Sequence, residues 1–405
     1  MAQGIFRQHA NDDAAQYAMN PPELITLGDY AAPTMPTEHV FRGALNRLKQ
    51  RMSSAEPPLL ERSVLKRASL TMMDDLADPP DCGPLLQTLD AQLGPWLLDE
   101  DAPLRLRTLV VPPCDTTGLL ERWARLRGHA LLAEPDRIDL LSQAAHGTHP
   151  DLSGNGLLVI PRLEYWFLRH HNGMHAARSL LSRLARADRR CLVGCNSWAW
   201  RLIVKGAGAD LALPRPQTFA PFDARRLHEW FSTLALDSNG IAATFRLAGS
   251  GEDVLACGDD GEPYNAYLRQ LAARSGGIPW IAWHLWRASL TIAADKESLS
   301  SRVTKAVSDD ARTVWVVDVE DLVLPSSSED RSLQVLHALL IHGALTLAEI
   351  DAVMPTTGDP DTLAALVRSG HLRCDQHGVR YTIRPTAYPA VRSALQAAGF
   401  PMGGI

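Results

Sequence analysis

Short apolar strands alternating with helical periods place the middle of this 405-residue chain in the α/β class, a parallel sheet with helices on both faces. Three observations predict it. Residues 104–111, 157–160 and 191–195 are apolar runs of strand length, and 157–160 is apolar throughout. The first two end at Pro112-Pro113 and Pro161, and helical periods follow at 117–127, 174–187 and from Ser197. At roughly 100–200 residues per domain, the length leaves room for a second and a third domain beside that core.

Taken in order, residues 1–38 show no sustained period and read as an arm rather than a fold. Val40, Phe41, Leu45, Leu48 and Met52 share one face of a short amphipathic helix, read as docking on the chain's own core; Ser53 to Pro58 end it. A second helical stretch is expected over 59–76. The α/β run then reads strand 104–111, helix 117–127 closed by Gly128, strand 129–132, helix 136–144, strand 157–160, helix 174–187, strand 191–195 and a helix from Ser197. After Pro214 and Pro216 the pattern turns mainly helical, at 223–235 and 264–274. A hairpin is expected within 244–257 around Gly249-Ser250-Gly251. The last segment reads as helices at 332–342, 346–353 and 360–369, then strands at 372–374 and 380–383: three helices and a β-ribbon, the order of a winged helix.

Composition narrows the function. With 46% hydrophobic and 21% charged residues the chain can bury a core, which excludes a fibrous or wholly unstructured protein. The net charge of −6 provides no protein-wide positive field for nucleic acid. Six scattered cysteines form no disulfide framework, so a reducing, cytoplasmic setting is expected; no signal-peptide pattern and no span of about 18 uninterrupted apolar residues is seen. Only five of the 40 basic residues are lysines, and none lies between Lys66 and Lys205.

The order of features over 100–300 resembles the AAA+ and STAND class of P-loop ATPases. Residues 157–160 look like the Walker B strand, Asn196 sits where a sensor-1 residue belongs, and Phe219 to Asp223 is similar to the link into a helical lid. Gly277-Ile278-Pro279 with Trp283 resembles the lid's adenine-contact motif, and Arg287 follows as a sensor-2 candidate. The resemblance implies four segments: an N-terminal arm (1–58), an AAA+-like core (59–216), a lid-like helical domain with a hairpin (217–325) and a winged-helix domain (326–405).

The chemistry such a core needs is missing from the sequence. A phosphate loop uses glycines to expose backbone N–H groups and a lysine to neutralise the terminal phosphate. Here the first strand runs into Pro112, Pro113, Cys114, Asp115, Thr116, Thr117, Gly118 and Leu119: prolines remove donors, and Asp115 adds a charge that repels phosphate. The Walker B strand is followed by Pro161 and Arg162, and Glu164 is the nearby acid, read as a surface or salt-bridged carboxylate. Cys114 to Gly118, Glu164 and Asn196 therefore mark a degenerate nucleotide site with no catalytic residue. No cofactor is expected beyond residual adenine nucleotide near Pro279, Trp283 and Arg287, and no metal. His171 and His175 have metal-ligand spacing, but Gly173 interrupts their helix and no third ligand is near. Cys191 and Cys195 lie four apart on a strand, about 13 Å at ~3.3 Å per residue, too far to share an ion. Trp198, Trp200, Trp280, Trp283 and Trp286 read as core between domains.

Residues 331–405 carry six arginines and five acids, a net of +1. Arg368, Arg373, Arg380 and Arg384 are the candidate DNA contacts, but phosphate neutralisation by so few charges is weak. The expected function is a non-hydrolysing scaffold or regulatory subunit docking on a protein partner. The alternatives are a winged-helix DNA-binding regulator and an active nucleotide hydrolase with an unorthodox loop.

Overall fold

The computed structural model describes residues 22–35, 65–67, 83–141, 150–234, 243–258, 263–293, 313–318, 322–325, 329–354, 360–375, 378–403 and 405. The helix expected at 40–52 lies outside them. Chain order runs β1 (Leu24–Thr26), β2 (Leu65–Arg67), α1 (Gly83–Leu98), β3 (Leu106–Val111), α2 (Leu119–Leu126), β4 (Ala130–Leu131) and β5 (Leu158–Ile160). It continues through α3 (His175–Leu184), β6 (Cys191–Asn196), α4 (Ser197–Ala207), α5 (Ala209–Ala212), β7 (Gln217–Phe219), α6 (Ala224–Leu234) and β8 (Thr244–Leu247). Then follow α7 (Tyr267–Ser275), α8 (Pro279–Ser289), β9 (Leu290–Ala293), β10 (Thr313–Val316), α9 (Glu329–His342) and β11 (Leu345–Thr346). The last elements are α10 (Leu347–Val353), α11 (Pro360–Arg368), β12 (Leu372–Cys374), β13 (Arg380–Ile383) and α12 (Tyr388–Ala397). Two compact units result, one from 21–31, 85–220 and 321–405 and the other chiefly from 32–84 and 221–320.

The first unit is built on a six-stranded sheet of order β1-β7-β3-β6-β5-β4, parallel except where β1 joins β7. This mixed sheet flanked by helices has the general plan of Rossmann-like and AAA+-like α/β cores. All six residues of β6 are buried, as its central place demands of an apolar run. Leu85, Leu89, Leu93 and Trp96 recur on one buried face of α1, and each such side chain contributes about 1.5–3 kcal/mol by leaving water. Residues 24–26, read as part of an unfolded arm, are instead the edge strand β1: the sheet edge offered by β7 supplies backbone partners that a three-residue run lacks by itself. The helix expected over 136–144 is reduced, where described, to a single 3₁₀ turn at Asp139–Leu141.

The same unit also holds α9, α10 and α11, with β11, β13 and β12 forming a three-stranded antiparallel sheet. The three helices and two of these strands fall where the sequence placed them. β11 and α12 were not foreseen.

The second unit contains α6 and α7, as expected, α8, and a sheet of order β2-β9-β10-β8 of which the sequence reading placed β8, as a strand of the 244–257 hairpin whose Arg246 bridges Asp253 antiparallel, and missed the rest. β8 runs parallel to β10, while β9 is antiparallel to both β10 and β2. Leu65–Arg67 thus lies as a strand inside the stretch read as helix 59–76, because pairing with β9 outweighs a weak local period. Trp286 organises this core, with Phe231 stacked 5.1 Å away and Phe245 at 4.9 Å. Trp198 and Trp200 are buried in the first unit, and Trp280, Trp283 and Trp286 in the second.

Candidate functional site

The sheet order brings three strand ends together. Because β6 is inserted between β3 and β5, with Val111 opposite Asn196 and Ile160 opposite Val193, the loop after β3, the turn after β5 and the start of α4 meet at the carboxyl edge. In open α/β sheets this edge is where ligands bind. Cys114, Asp115, Thr116, Gly118, Glu164 and Asn196 line one cavity here, and Thr117 is bonded to Asp115 beside it.

The loop is closed on itself. Cys114 has φ +61°, the one non-glycine residue in the left-handed region among the described residues. The strained turn directs the Asp115 carboxylate back onto the start of α2. Its Oδ1 accepts from the backbone N–H groups of Thr117 at 2.8 Å and Gly118 at 3.1 Å and from the Thr117 hydroxyl at 2.7 Å. Oδ2 accepts from the N–H of Leu119 at 2.9 Å. These are the donors that a helix start presents to an anion, and a carboxylate at the positive end of the dipole satisfies them internally. Gly118 has φ +62°, a backbone conformation that a residue without a Cβ adopts without strain. Glu121 accepts from Arg162 Nε at 2.9 Å, so that arginine's charge is also committed. Burial pushes the Cys114 thiol up to about 12, Arg373 opposing and Asp115 reinforcing the shift, which leaves it protonated and unreactive.

Glu164 is not the surface or salt-bridged carboxylate expected from the sequence. It lies in the 3₁₀ turn Leu163–Trp166, 5% exposed, and accepts from the backbone N–H of Asn196 at 3.0 Å. Burial raises its pKa to about 7, against the opposing pull of Arg162 and of that hydrogen bond. Asn196 caps α4, its Oδ1 accepting from Trp198 N–H at 2.9 Å, while its Nδ2 donates to the Leu340 carbonyl of α9 at 2.6 Å. The Asn196 amide is thereby used up holding the C-terminal helices.

A cavity of about 220 Å³ remains between the loop, Arg162 to Tyr165, α9 and the β12–β13 ribbon, below the ~300–1,000 Å³ usual for ligand pockets. Arg373 lines it, its Nε donating to Thr382 Oγ1 at 2.9 Å. Arg384 donates from Nε to the Leu372 carbonyl at 3.1 Å, and Arg368, Arg373, Arg380 and Arg384 are all exposed. The adenine candidates belong to the second unit: Pro279 opens α8, Trp283 is buried, and the Arg287 guanidinium lies 5.2 Å from the Trp283 ring centre. None of the three lines the cavity. Among the described residues no three His, Cys, Asp or Glu side chains gather as metal ligands, and no helix is long and apolar enough to cross a membrane.

Sequence reasoning missed Arg137. Its guanidinium, 2% exposed, makes a bidentate pair with Glu349 at 3.0 and 2.9 Å, donates to the His342 carbonyl at 3.2 Å and to that of Ala344, and lies 4.6 Å from the Tyr165 ring centre. Glu349 also completes a capping box with Thr346. Nearby, Arg169 donates its backbone N–H to His342 Nε2 at 3.3 Å and sets its guanidinium 3.3 Å from His337 Nδ1. Thr346-x-x-Glu349 was legible as a helix start; its partner, one arginine in a polar stretch, carried no signal.

No family model matches the chain, and no curated protein matches it. Among solved structures it is similar to Cdc6p from Pyrobaculum aerophilum, at 13% identity over 79% of this chain and 95% of that one, with a TM-score of 0.29. A score that low carries no argument.

Proposed function

We propose that the chain is a non-hydrolysing scaffold or regulatory subunit of AAA+/STAND-like design, in which a C-terminal winged helix is held on a core that no longer handles triphosphates. The observation that carries the reading is the Asp115 carboxylate, which takes up the N–H groups of Thr117, Gly118 and Leu119 that a phosphate would need. A phosphate entering there would have to displace a bound carboxylate and face its repulsion at close range, with no lysine to compensate. Asn196, its side chain spent on Leu340 and Trp198, supports the same reading, since it is not free to orient an attacking water.

The winged-helix assignment rests on the order α9, β11, α10, α11, β12, β13 and on the pairing of β13 between β11 and β12. With a net charge of +1 over 331–405, protein docking is favoured over DNA binding. The test is native purification with identification of co-eluting protein and bound nucleotide in one sample, beside gel shifts at two salt concentrations. A stoichiometric protein partner with no nucleotide and no shift supports the proposal. Salt-sensitive DNA binding, or Mg²⁺-dependent phosphate release, would replace it with a rival.

A further inference from the structure

A second concavity lies at the opposite, amino edge of the six-stranded sheet. Arg105, His129, Leu157 and Arg190 directly precede β3, β4, β5 and β6. These strands start in register, with Leu106 and Leu158 opposite Cys191 and Ala130 opposite Leu158, so the four residues are brought side by side. With the loop at 154–156 and Asp188-Arg189 they line a pocket of about 380 Å³, within the ~300–1,000 Å³ usual for ligand sites. The six residues of β3 separate it from the closed loop by about 20 Å at ~3.3 Å per residue, so it is no extension of that site.

Three arginines line this pocket, and each is held by neutral groups. Arg105 Nη1 donates to the Asp188 carbonyl at 2.6 Å, and Arg190 Nη2 donates to the Asp99 carbonyl. Arg189 donates to the carbonyls of Gly156 at 3.0 Å, Ser153 at 2.5 Å and Asn155 at 3.1 Å. The loop wraps it closely, since a Cβ on Gly154, at φ +106°, would stand 3.1 Å from its Nη1. A main-chain carbonyl fixes a guanidinium without cancelling its charge, and none of the three forms an ion pair among the described residues. Asp188 is the one acid of the lining; Asp99, Glu100, Asp101 and Asp151 are exposed and do not line it. Burial holds His129 below its usual pKa against the pull of Asp90, which leaves it neutral near pH 7. In a chain of net charge −6 the lining therefore carries a net of +2.

A further observation points to an anion. The Arg190 Nε is buried and has no acceptor among the described residues, an arrangement that is costly until an acceptor arrives. The anchors of the three guanidiniums lie in three places, at 153–156, at Asp188 and at Asp99, so the positive charge is spread along the edge rather than focused on one point. A monoanion or a single phosphate meets one guanidinium fork, whereas a ligand with two carboxylates several atoms apart meets two, each planar group matched by a fork. We propose that this amino-edge pocket binds a small dicarboxylate, one carboxylate taken by Arg105 and the other by Arg190, with Arg189 as the positioning residue that holds the 153–156 wall. The site uses no residue of the closed loop or of the C-terminal elements, so it stands or falls independently of the scaffold reading.

The test is calorimetric titration of malonate, succinate and glutarate into the full-length chain, with acetate and inorganic phosphate as comparisons. One of the three dicarboxylates should bind saturably, one per chain, at least tenfold more tightly than acetate or phosphate. Arg105→Gln and Arg190→Gln should each weaken it at least tenfold, while Arg225→Gln, an exposed change in the other unit, should leave it unaltered. No saturable binding at 10 mM of any of the three, equal binding of phosphate and acetate, or binding that survives both pocket variants would overturn the proposal. If the pocket variants do not fold, hydrogen exchange on the wild type decides. The dicarboxylate should slow exchange at 153–157 and 188–190 at least threefold and leave 114–119 unchanged; no slowing there, or slowing at 114–119 instead, would overturn it.

Discussion

Replacing Glu164 by glutamine should stabilise the protein, and by an amount that grows with pH. The carboxyl titrates near 4.5 when solvated and near 7 in the folded chain, because burial disfavours its charged form. A raised folded-state pKa means that the folded state binds the extra proton. Below pH 4.5 the group is neutral in both states and costs nothing. Between 4.5 and 7 the folded state loses about 1.4 kcal/mol per pH unit relative to the unfolded chain, and above 7 the full cost is roughly 3 kcal/mol. Glutamine keeps an oxygen to accept from the Asn196 N–H and removes the charge, at the expense of an amide N–H₂ that needs an acceptor, about 1 kcal/mol. The net gain is about 2 kcal/mol at pH 8 and nothing, or a slight loss, at pH 4.5. Denaturant midpoints of wild type and Glu164→Gln, measured side by side from pH 4.5 to 8, give the difference directly, and groups that titrate in both chains cancel. A gap that does not change with pH, or a variant less stable than wild type at pH 8, would refute the reasoning: the carboxylate would then be favourably engaged as a charge.

Asp115→Ala should lower stability by about 1–2 kcal/mol, since it uncaps α2 and strands three backbone donors, and Asp115→Asn by less; thermal melts of the three chains check the order. Arg137→Ala leaves Glu349 buried and unpaired and should cost about 3–5 kcal/mol, whereas Arg137→Met with Glu349→Leu should cost clearly less, so a double-mutant cycle gives a coupling well above 1 kcal/mol. Acid acts through His337, whose pKa is lowered to about 4 by burial and by the Arg169 charge. Its contribution to stability is complete above the unfolded value near 6.5 and declines as pH falls from 6.5 to 4, so His337→Gln should flatten the melting profile in that window. Burial and the charges of Arg137 and Arg169 move His342 the same way.

The strands of the α/β unit were legible because burial on both faces forces continuous apolar runs, as in 157–160 and 191–195, and prolines and glycines mark their ends. β2, β9 and β10 were not, because each is three or four residues long and exists through partners far along the chain. The site was half legible. The absence of lysine and the prolines of the loop are visible as letters, and so is Asp115. Its role as a cap follows from Asp placed shortly before Thr117-Gly118 at a helix start, a pattern that reading it only as a repelling charge passed over. Glu164 looked like surface because its neighbours Arg162 and Tyr165 are polar; its burial comes from the insertion of β6 beside β5 and the covering by α9. No local pattern could reveal that Asn196 bonds a carbonyl 144 residues away, or that Arg137 pairs with Glu349 across 212.

The central claim, that the helix start after β3 is already occupied by the chain's own carboxylate, is tested most directly by titrating Mg²⁺·ATP into the purified protein in a calorimeter and assaying the same sample for released phosphate. The account predicts no saturable heat at millimolar ATP and no phosphate above the buffer rate. Saturable binding that Asp115→Ala leaves unchanged, or turnover that Glu164→Gln abolishes, would contradict it.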